Sequence, residues 1–321
     1  MGYQFIHLET FSREPDKHGR STSFVVDEAY RCLHACQHVA VPMAPTLVYG
    51  APLADSREVH DAKAATAMTE AAGKARKIRQ DQHTLATVVT SYPMTWEQMQ
   101  GDANGADLLK DWQARTVAWL RNQFGGQLAS VVMHTDEAHP HLHAIVLPDD
   151  PEMRAKRLHP GWTAKDAAVR VAKGGGTDGK AANAVGDRAY KEAMRAWQDS
   201  YWHAVGLPCG LARLGPQKRR LTRVAWQTEQ AAARTTAELV RHAEAASVTV
   251  QAATNREAMA EAAAMKSRVA IAEAKRAMAD AKVAADAADA IKVQAKKEAR
   301  AILTDARHSA RQVAAPMECI Q

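Results

Sequence analysis

The chain opens on an alternating stretch. Between Tyr3 and Glu9, Phe5, His7 and Glu9 fall on one side and Gln4, Ile6 and Leu8 on the other, the period-two pattern of a strand. Helical spacing follows over 27–37 and 56–79. The β-branched run from Thr84 to Ser91 then predicts a second strand, closed at Tyr92-Pro93 because proline has no N–H to donate to a ladder. Residues 96–124 read as helix, interrupted near Gly101 to Gly105 and stopped at Gly125-Gly126. Two strands, 127–133 and 141–147, flank the polar connector Thr135 to Pro140, which predicts an antiparallel hairpin. From Glu152 to Arg213 the pattern is helical apart from a loop at 172–179. That loop, AKGGGTDG, lacks the GxxxxGK[ST] spacing and has no strand directly before it, so it reads as a surface loop and not a phosphate cradle.

The pattern changes character at residue 216. No Gly or Pro falls between Pro216 and Pro316, no aromatic follows Trp226, and Ala fills 33 of the 91 positions from 225 to 315, a composition that only helix or disorder accommodates. One or two long helices are expected. Large apolar residues such as Leu239, Met259, Ile271 and Ile291 are sparse and not in strict heptads, so a coiled coil has no secure register. The predicted organisation is an α+β domain over 1–215 and an Ala-rich, coiled-coil-like helical tail over 216–321. Charge divides at the same place: the tail holds 18 Lys/Arg against 12 Asp/Glu, while the preceding part is balanced at 24 each, so the whole excess of +6 lies in the tail. An excess of this size is compatible with a polyanionic partner and is only a weak signal for one.

Four cysteines, scattered at 32, 36, 209 and 319, do not make a disulfide framework and suit a reducing cytoplasm. The opening MGYQFIHLET has no basic stretch followed by an apolar core, and no window approaches the ~18 uninterrupted apolar residues of a membrane span. A cytoplasmic protein is expected.

The densest chemistry is His134-Thr-Asp136-Glu137-Ala-His139-Pro-His141-Leu-His143, four histidines and two carboxylates in ten positions. If Pro140 closes the turn, period two puts His141 and His143 on one strand face, and the hairpin returns that face beside His134. Three converging neutral imidazoles make a divalent metal site for Mn, Zn, Co or Ni, and for Mg where water and substrate oxygens complete the shell. Glu137 is near enough to orient one of these ligands. His139 reads as an exposed turn residue.

The pattern His134-x-Asp136-Glu137-x-x-Pro140-His141-x-His143 resembles the metal motif of the plasmid mobilisation relaxases of the Mob/Pre (MobV-like) type, in the HUH endonuclease superfamily. The opening strand GYQFIHLE, the Ser91-Tyr92-Pro93 strand end and the segment WQDSYWHAVGLPCGLAR at 197–213 extend the resemblance over residues 1–215. It implies a five-stranded antiparallel sheet with flanking helices, the HxH strand at its centre and the metal on its exposed face. The implied activity is metal-dependent, strand-specific nicking and rejoining of plasmid DNA at a transfer origin. The DNA is held single-stranded or as a hairpin, and a covalent 5′-phospho-enzyme keeps the bond energy for resealing. A nucleophilic histidine shortly after the first strand is implied too. His18, flanked by Lys17 and Arg20 whose charge suits a phosphate, occupies that place. Tyr30 is the tyrosine alternative, although its helical spacing with Val26 and Leu33 predicts packing. Tyr3 is nearly terminal, and His7, facing outward from the first strand, would border the metal.

Further readings accompany these. Cys32, His34, Cys36 and His38 offer soft ligands, but a helix would put them on different faces, so one tetrahedral zinc would require the helix to break. Lys218, Arg219 and Arg220 are candidates for DNA flanking the nick, and the tail is a candidate for self-association or docking to transfer-apparatus proteins. A non-catalytic DNA- or partner-binding coiled-coil protein accounts for the tail alone. A rolling-circle replication initiator or hydrolytic metallonuclease on the same scaffold accounts for the cluster, and the absence of an ATPase motif disfavours self-contained replication.

Overall fold

The computed structural model describes residues 2–71, 73–215 and 222–313. Lys218, Arg219 and Arg220 lie outside the described residues, as does Cys319. The chain divides into two units, Met1–Glu244 and Ala245–Gln321.

The first unit is built on a five-stranded antiparallel sheet formed by β1 (Phe5–Ser12), β2 (Thr46–Gly50), β5 (His83–Ser91), β6 (Leu128–His134) and β7 (His141–Val146), in the order β1-β5-β7-β6-β2. The central strand is therefore β7, whose sequence HLHAIV is buried on both faces along most of its length. One sheet face carries Ile6, Leu8, Ala86, Val88, Val131, Met133, Leu142 and Ala144. It packs under Trp112, Trp119, Leu120 and Phe124 of α4 (Gly105–Phe124) and under Trp197 and Tyr201 of α6 (Gly179–Tyr201). Aromatic rings set edge to face, Trp119 with Trp197 and Tyr201, fill this layer with the apolar area that dominates the fold's stability.

The opposite face is covered at one end only. There Val25, Val26 and Ala29 of α1 (Thr22–Tyr30) and Leu53 of α2 (Leu53–Thr66) pack on Phe11, Leu85, Val132 and Ile145. Ser21 caps α1, its hydroxyl accepting from the Phe24 N–H at 3.2 Å. Beyond the cover, the odd-numbered positions of β1 and β5, together with His141 and His143 of β7, floor an open cavity.

Several elements depart from the sequence reading. Helical spacing over 27–37 is cut short at Tyr30, because Arg31 turns into the left-handed region (φ 66°, ψ 34°) and ends α1. The predicted helix over 56–79 stops at Thr66 and is followed by a hairpin of β3 (Met68–Ala71) and β4 (Lys74–Lys77). The Ala- and Lys-rich composition favours helix there. Gly73, at φ +72°, makes the tight reversal, while Ile78 is buried with Ala64, Ala67 and Met153. Edge strand β2 escapes a periodicity reading because its partly exposed residues show no clean alternation. The expected interruption at Gly101 to Gly105 is present, between α3 (Trp96–Gln100) and α4. The loop 172–179 likewise separates α5 (Pro160–Gly174) from α6.

The tail is the helix α7 (Arg223–Val313). Its first turns belong to the first unit, where Ala237 is buried, Arg241 donates to the Pro208 carbonyl (3.1 Å) and Glu244 pairs with Arg115 (2.7 Å). In the second unit every described side chain from Ala245 to Arg311 is exposed. Among the described residues no helix is long and apolar enough to cross a membrane.

Candidate metal centre

The hairpin of β6 and β7 pairs His134 directly opposite His141, with His143 two residues on and therefore on the same face. The ligand-capable atoms of His134, His141 and His143 all lie within 4.8 Å of one another, and among the described residues this is the sole such group of histidine, cysteine or acidic side chains. Cys32, His34, Cys36 and His38 do not gather into a site. The helix does break there, but Cys36 donates to the Cys32 carbonyl and His34 turns to Asp27.

Tautomers follow from the hydrogen bonds. Nε2 of His134 lies 2.8 Å from the Ala29 carbonyl and Nδ1 of His141 lies 3.1 Å from the His139 carbonyl; a carbonyl only accepts, so both of these nitrogens carry the proton. The remaining nitrogens, Nδ1 of His134 and Nε2 of His141, then face each other at 3.1 Å with lone pairs on both sides. A shared proton is disfavoured, since burial and then the charge of Arg31 push His134 down to about 4. Burial, followed by its two histidine neighbours, holds His143 well below the ordinary imidazole value. Two neutral, opposed lone pairs with a third imidazole beside them are the donor set that a divalent cation satisfies.

Glu137 stands at the cavity-facing side of this group. Its Oε1 is 3.5 Å from His141 Nε2, 3.7 Å from His38 Nε2 and 2.8 Å from Arg31. The outward N–H groups of His134 and His141 are instead oriented by the backbone carbonyls of Ala29 and His139. Arg31 is the principal residue that sequence reasoning passed over. Its guanidinium forks onto Asp136 at 2.9 and 2.7 Å, both side chains being almost fully buried, and Asp136 also accepts from the Met43 N–H at 3.0 Å. Burial alone would raise the Asp136 carboxyl; the Arg31 and Met43 hydrogen bonds outweigh it and leave the carboxyl below its ordinary value. Two carboxylates beside the histidines hinted at a cation, but its identity lies 105 residues away in sequence.

The cavity has a volume of about 420 Å³ and is walled by His7 and Glu9 of β1, Thr87, Val89 and Ser91 of β5, and Val25, Glu28 and Arg31 along one face of α1 and its cap. His7 thus borders the histidine group, as expected from its strand parity. Arg20 reaches the cavity with its charge shared between Glu9 (2.8 Å) and Asp16 (2.9 Å). His18 and Lys17 sit in an exposed turn held by Asp16, whose carboxylate accepts from the His18 N–H at 2.8 Å, and neither lines the cavity. Tyr30 is 54% exposed and does not line the cavity, and Leu33 is exposed as well, so the packing role expected of Tyr30 is not observed. Tyr3 pairs with Ala212 just before β1 and is also outside the cavity.

Residues 53–165 match a family model, Mob_Pre, described as a plasmid recombination enzyme. Two solved structures align with part of the chain. One is the MobM relaxase domain bound to a 26-nucleotide pMV158 oriT DNA, at 13% identity and a TM-score of 0.29 over 51% of this chain and 87% of that one. The other is the same domain bound to a 23-nucleotide oriT DNA in a manganese-bound form, at 12% identity and a TM-score of 0.32 over 55% and 87%. None of the curated proteins compared matches the chain.

Proposed function

We propose, from the match of residues 53–165 to the Mob_Pre model of plasmid recombination enzymes, that this chain is a relaxase that nicks and rejoins one strand of plasmid DNA at a transfer origin. The observation that carries the reading is the opposed pair of imidazole lone pairs, completed by His143, on the open floor of the sheet. His134, His141 and His143 would hold a divalent cation, with Mn²⁺ or Mg²⁺ the first choice and Zn²⁺, Co²⁺ or Ni²⁺ compatible with three imidazoles. Such a cation, when bound, supplies Lewis-acid polarisation of a phosphodiester oxygen.

The protein's own residues do the rest. The buried Arg31–Asp136 fork fixes the end of α1 against the hairpin, so the cavity wall and the histidines keep one geometry. Arg31 and Arg20 line the cavity with their charge already shared among Asp136, Glu137, Glu9 and Asp16, so attraction of an anionic backbone would fall to the cation. Lys74, Arg76 and Lys77, exposed on the β3–β4 hairpin, and Lys17 in its exposed turn offer phosphate contacts that position a strand without reading its sequence. The free cysteines and the plasmid substrate both suit the cytoplasm. The tail beyond the first unit, exposed along its whole described length, would serve self-association or docking to transfer proteins.

The test is to incubate the full chain with Mn²⁺ and a supercoiled plasmid carrying the DNA that flanks its own coding sequence, then to stop the reaction with detergent. Open-circular plasmid with covalently attached protein supports the relaxase. No nicking with Mn²⁺, Mg²⁺, Zn²⁺, Co²⁺ or Ni²⁺ overturns it in favour of a non-catalytic DNA-binding protein, and nicking without attached protein favours a hydrolytic nuclease.

A further inference from the structure

A relaxase needs a nucleophile in the cavity, and neither His18 nor Tyr30 lines it. Helix α1 instead presents Val25, Glu28 and Arg31 there, three positions apart and hence on one helical face. Tyr30, two residues beyond Glu28, is turned roughly 200° around the same helix at about 100° per residue.

Glu28 differs from the other carboxylates of the cavity. Glu9 is engaged by Arg20 and lies near His7. Glu137 is engaged by Arg31 and lies near His38 and His141. Among the described residues no hydrogen bond or ion pair engages the Glu28 carboxylate, although Arg20, Arg31 and His38 are close enough to bias it electrostatically. An unpaired, half-buried carboxylate has no structural partner to explain it.

Its backbone, by contrast, is fastened to the metal hairpin through the residues that follow it. Immediately after Glu28, the Ala29 carbonyl takes the N–H of His134 at 2.8 Å. Two residues later, Arg31 forks onto Asp136 and reaches Glu137. Arg31 adopts the left-handed backbone that costs a non-glycine residue of order 1–2 kcal/mol, and its side-chain contacts hold it there. These ties set Glu28 at a fixed place in the cavity that His141 and His143 also line, the pre-organisation that a reacting group requires.

Resting on the relaxase reading, we propose that Glu28 is the nucleophile that takes the cleaved strand. One of its carboxylate oxygens forms a bond to the scissile phosphorus as the bond from phosphorus to the 3′ oxygen breaks. The electron pair leaves on that 3′ oxygen, which takes a proton from water in the open cavity. The product is a mixed carboxylic–phosphoric anhydride joining Glu28 to the 5′ end, beside a free 3′ hydroxyl. Rejoining runs the same steps backwards: the hydroxyl attacks phosphorus, gives up its proton, and the carboxylate leaves. A carboxylate needs no base to activate it, whereas a tyrosine or serine does. Repulsion between carboxylate and phosphodiester is offset by the cation the histidines would hold. Burial raises the Glu28 carboxyl above its ordinary value, which makes the carboxylate a stronger nucleophile.

The experiment is to trap the adduct formed by the full chain with Mn²⁺ and the supercoiled plasmid carrying its flanking DNA, and to map the modified peptide by mass spectrometry before and after hydroxylamine. Expected are a 5′-nucleotide on Glu28, its release by hydroxylamine, and a hydroxamate left at that position. Glu28→Gln should lose the adduct and slow nicking by at least about 10³-fold. It should keep the wild-type melting temperature, with affinities for Mn²⁺ and plasmid within about threefold, because the amide leaves the histidines and Arg31 intact. Glu28→Asp should form the same adduct more slowly. An adduct on His18, Tyr30 or another residue, wild-type nicking by Glu28→Gln, or nicking with no adduct would each overturn the assignment. A loss of Mn²⁺ affinity of about tenfold or more in Glu28→Gln would make the residue a metal ligand instead. A wild-type chain that nicks with none of the five metals fails the relaxase reading itself, and an adduct elsewhere fails only Glu28.

Discussion

Replacing Asp136 by alanine removes a carboxylate that is 1% exposed and accepts three hydrogen bonds, from Arg31 Nε (2.9 Å), Arg31 Nη2 (2.7 Å) and the Met43 N–H (3.0 Å). The Arg31 guanidinium, itself 2% exposed, is left buried with Glu137 as its remaining anion at 2.8 Å. Breaking a buried pair by deleting one partner costs about 3–5 kcal/mol. Because Glu137 stays, the lower end applies, and we expect a loss of about 3 kcal/mol. Glu137→Ala removes a carboxylate that is 36% exposed and leaves the Asp136 fork whole, so it should cost less than about 1 kcal/mol. At about 2–4 °C per kcal/mol for a unit of this size, the melting temperatures should fall by about 6–12 °C and by less than about 4 °C respectively. Urea titration followed by tryptophan fluorescence reads both losses, since Trp112, Trp119 and Trp197 sit in the core layer. The double variant Arg31→Met with Asp136→Leu leaves no charge behind and should recover most of the loss. An Asp136→Ala protein no less stable than Glu137→Ala would refute the claim that this fork holds α1 to the hairpin.

His141→Ala should weaken Mn²⁺ binding by at least about tenfold in calorimetry and abolish nicking, while DNA binding measured by gel shift survives, because a third of the donor set is lost and no phosphate contact is. Burial lowers His60, whose ring contacts Thr84 at 2.9 Å, below its ordinary 6.5. Its folded form resists protonation, so its share of stability is complete above pH 6.5 and is lost as pH falls toward the folded value. Urea midpoints of the wild type should therefore drop between about pH 7 and 5 more steeply than those of His60→Gln. Alanine at Lys74, Arg76 and Lys77 together should lower DNA affinity at moderate salt and reduce the slope of log affinity against log salt by about 2–3; an unchanged slope would show that the β3–β4 hairpin does not touch DNA. A chain cut after residue 250 should keep wild-type melting of the first unit and oligonucleotide nicking. A cut after residue 224 should melt lower, since it removes the Arg241–Pro208 and Glu244–Arg115 contacts.

Local rules carried the parts of this protein in which sequence neighbours decide structure. Period two placed His7 and Glu9 on the open face of β1, and His141 and His143 together on β7; a short connector ending in proline returned His134 beside them. The Gly- and Pro-free, alanine-rich composition wrote α7, because helix propensity summed over many residues needs no tertiary partner. Propensity failed over 67–77, where one glycine with positive φ and a buried Ile78 outweighed the helix-forming residues around them. The tertiary structure alone decided which groups hold the histidine hairpin and line its cavity. Ala29, Arg31 and Glu28 lie about a hundred residues from the hairpin in sequence, and nothing in their own spacing marks them. Arg31 ends α1 in a backbone its type disfavours because a buried carboxylate of the histidine hairpin holds it, a balance no local pattern encodes. The same packing left His18 and Tyr30 outside and put Glu28 inside, since the helical phase of α1 is set by Val25, Val26 and Ala29 seeking the sheet.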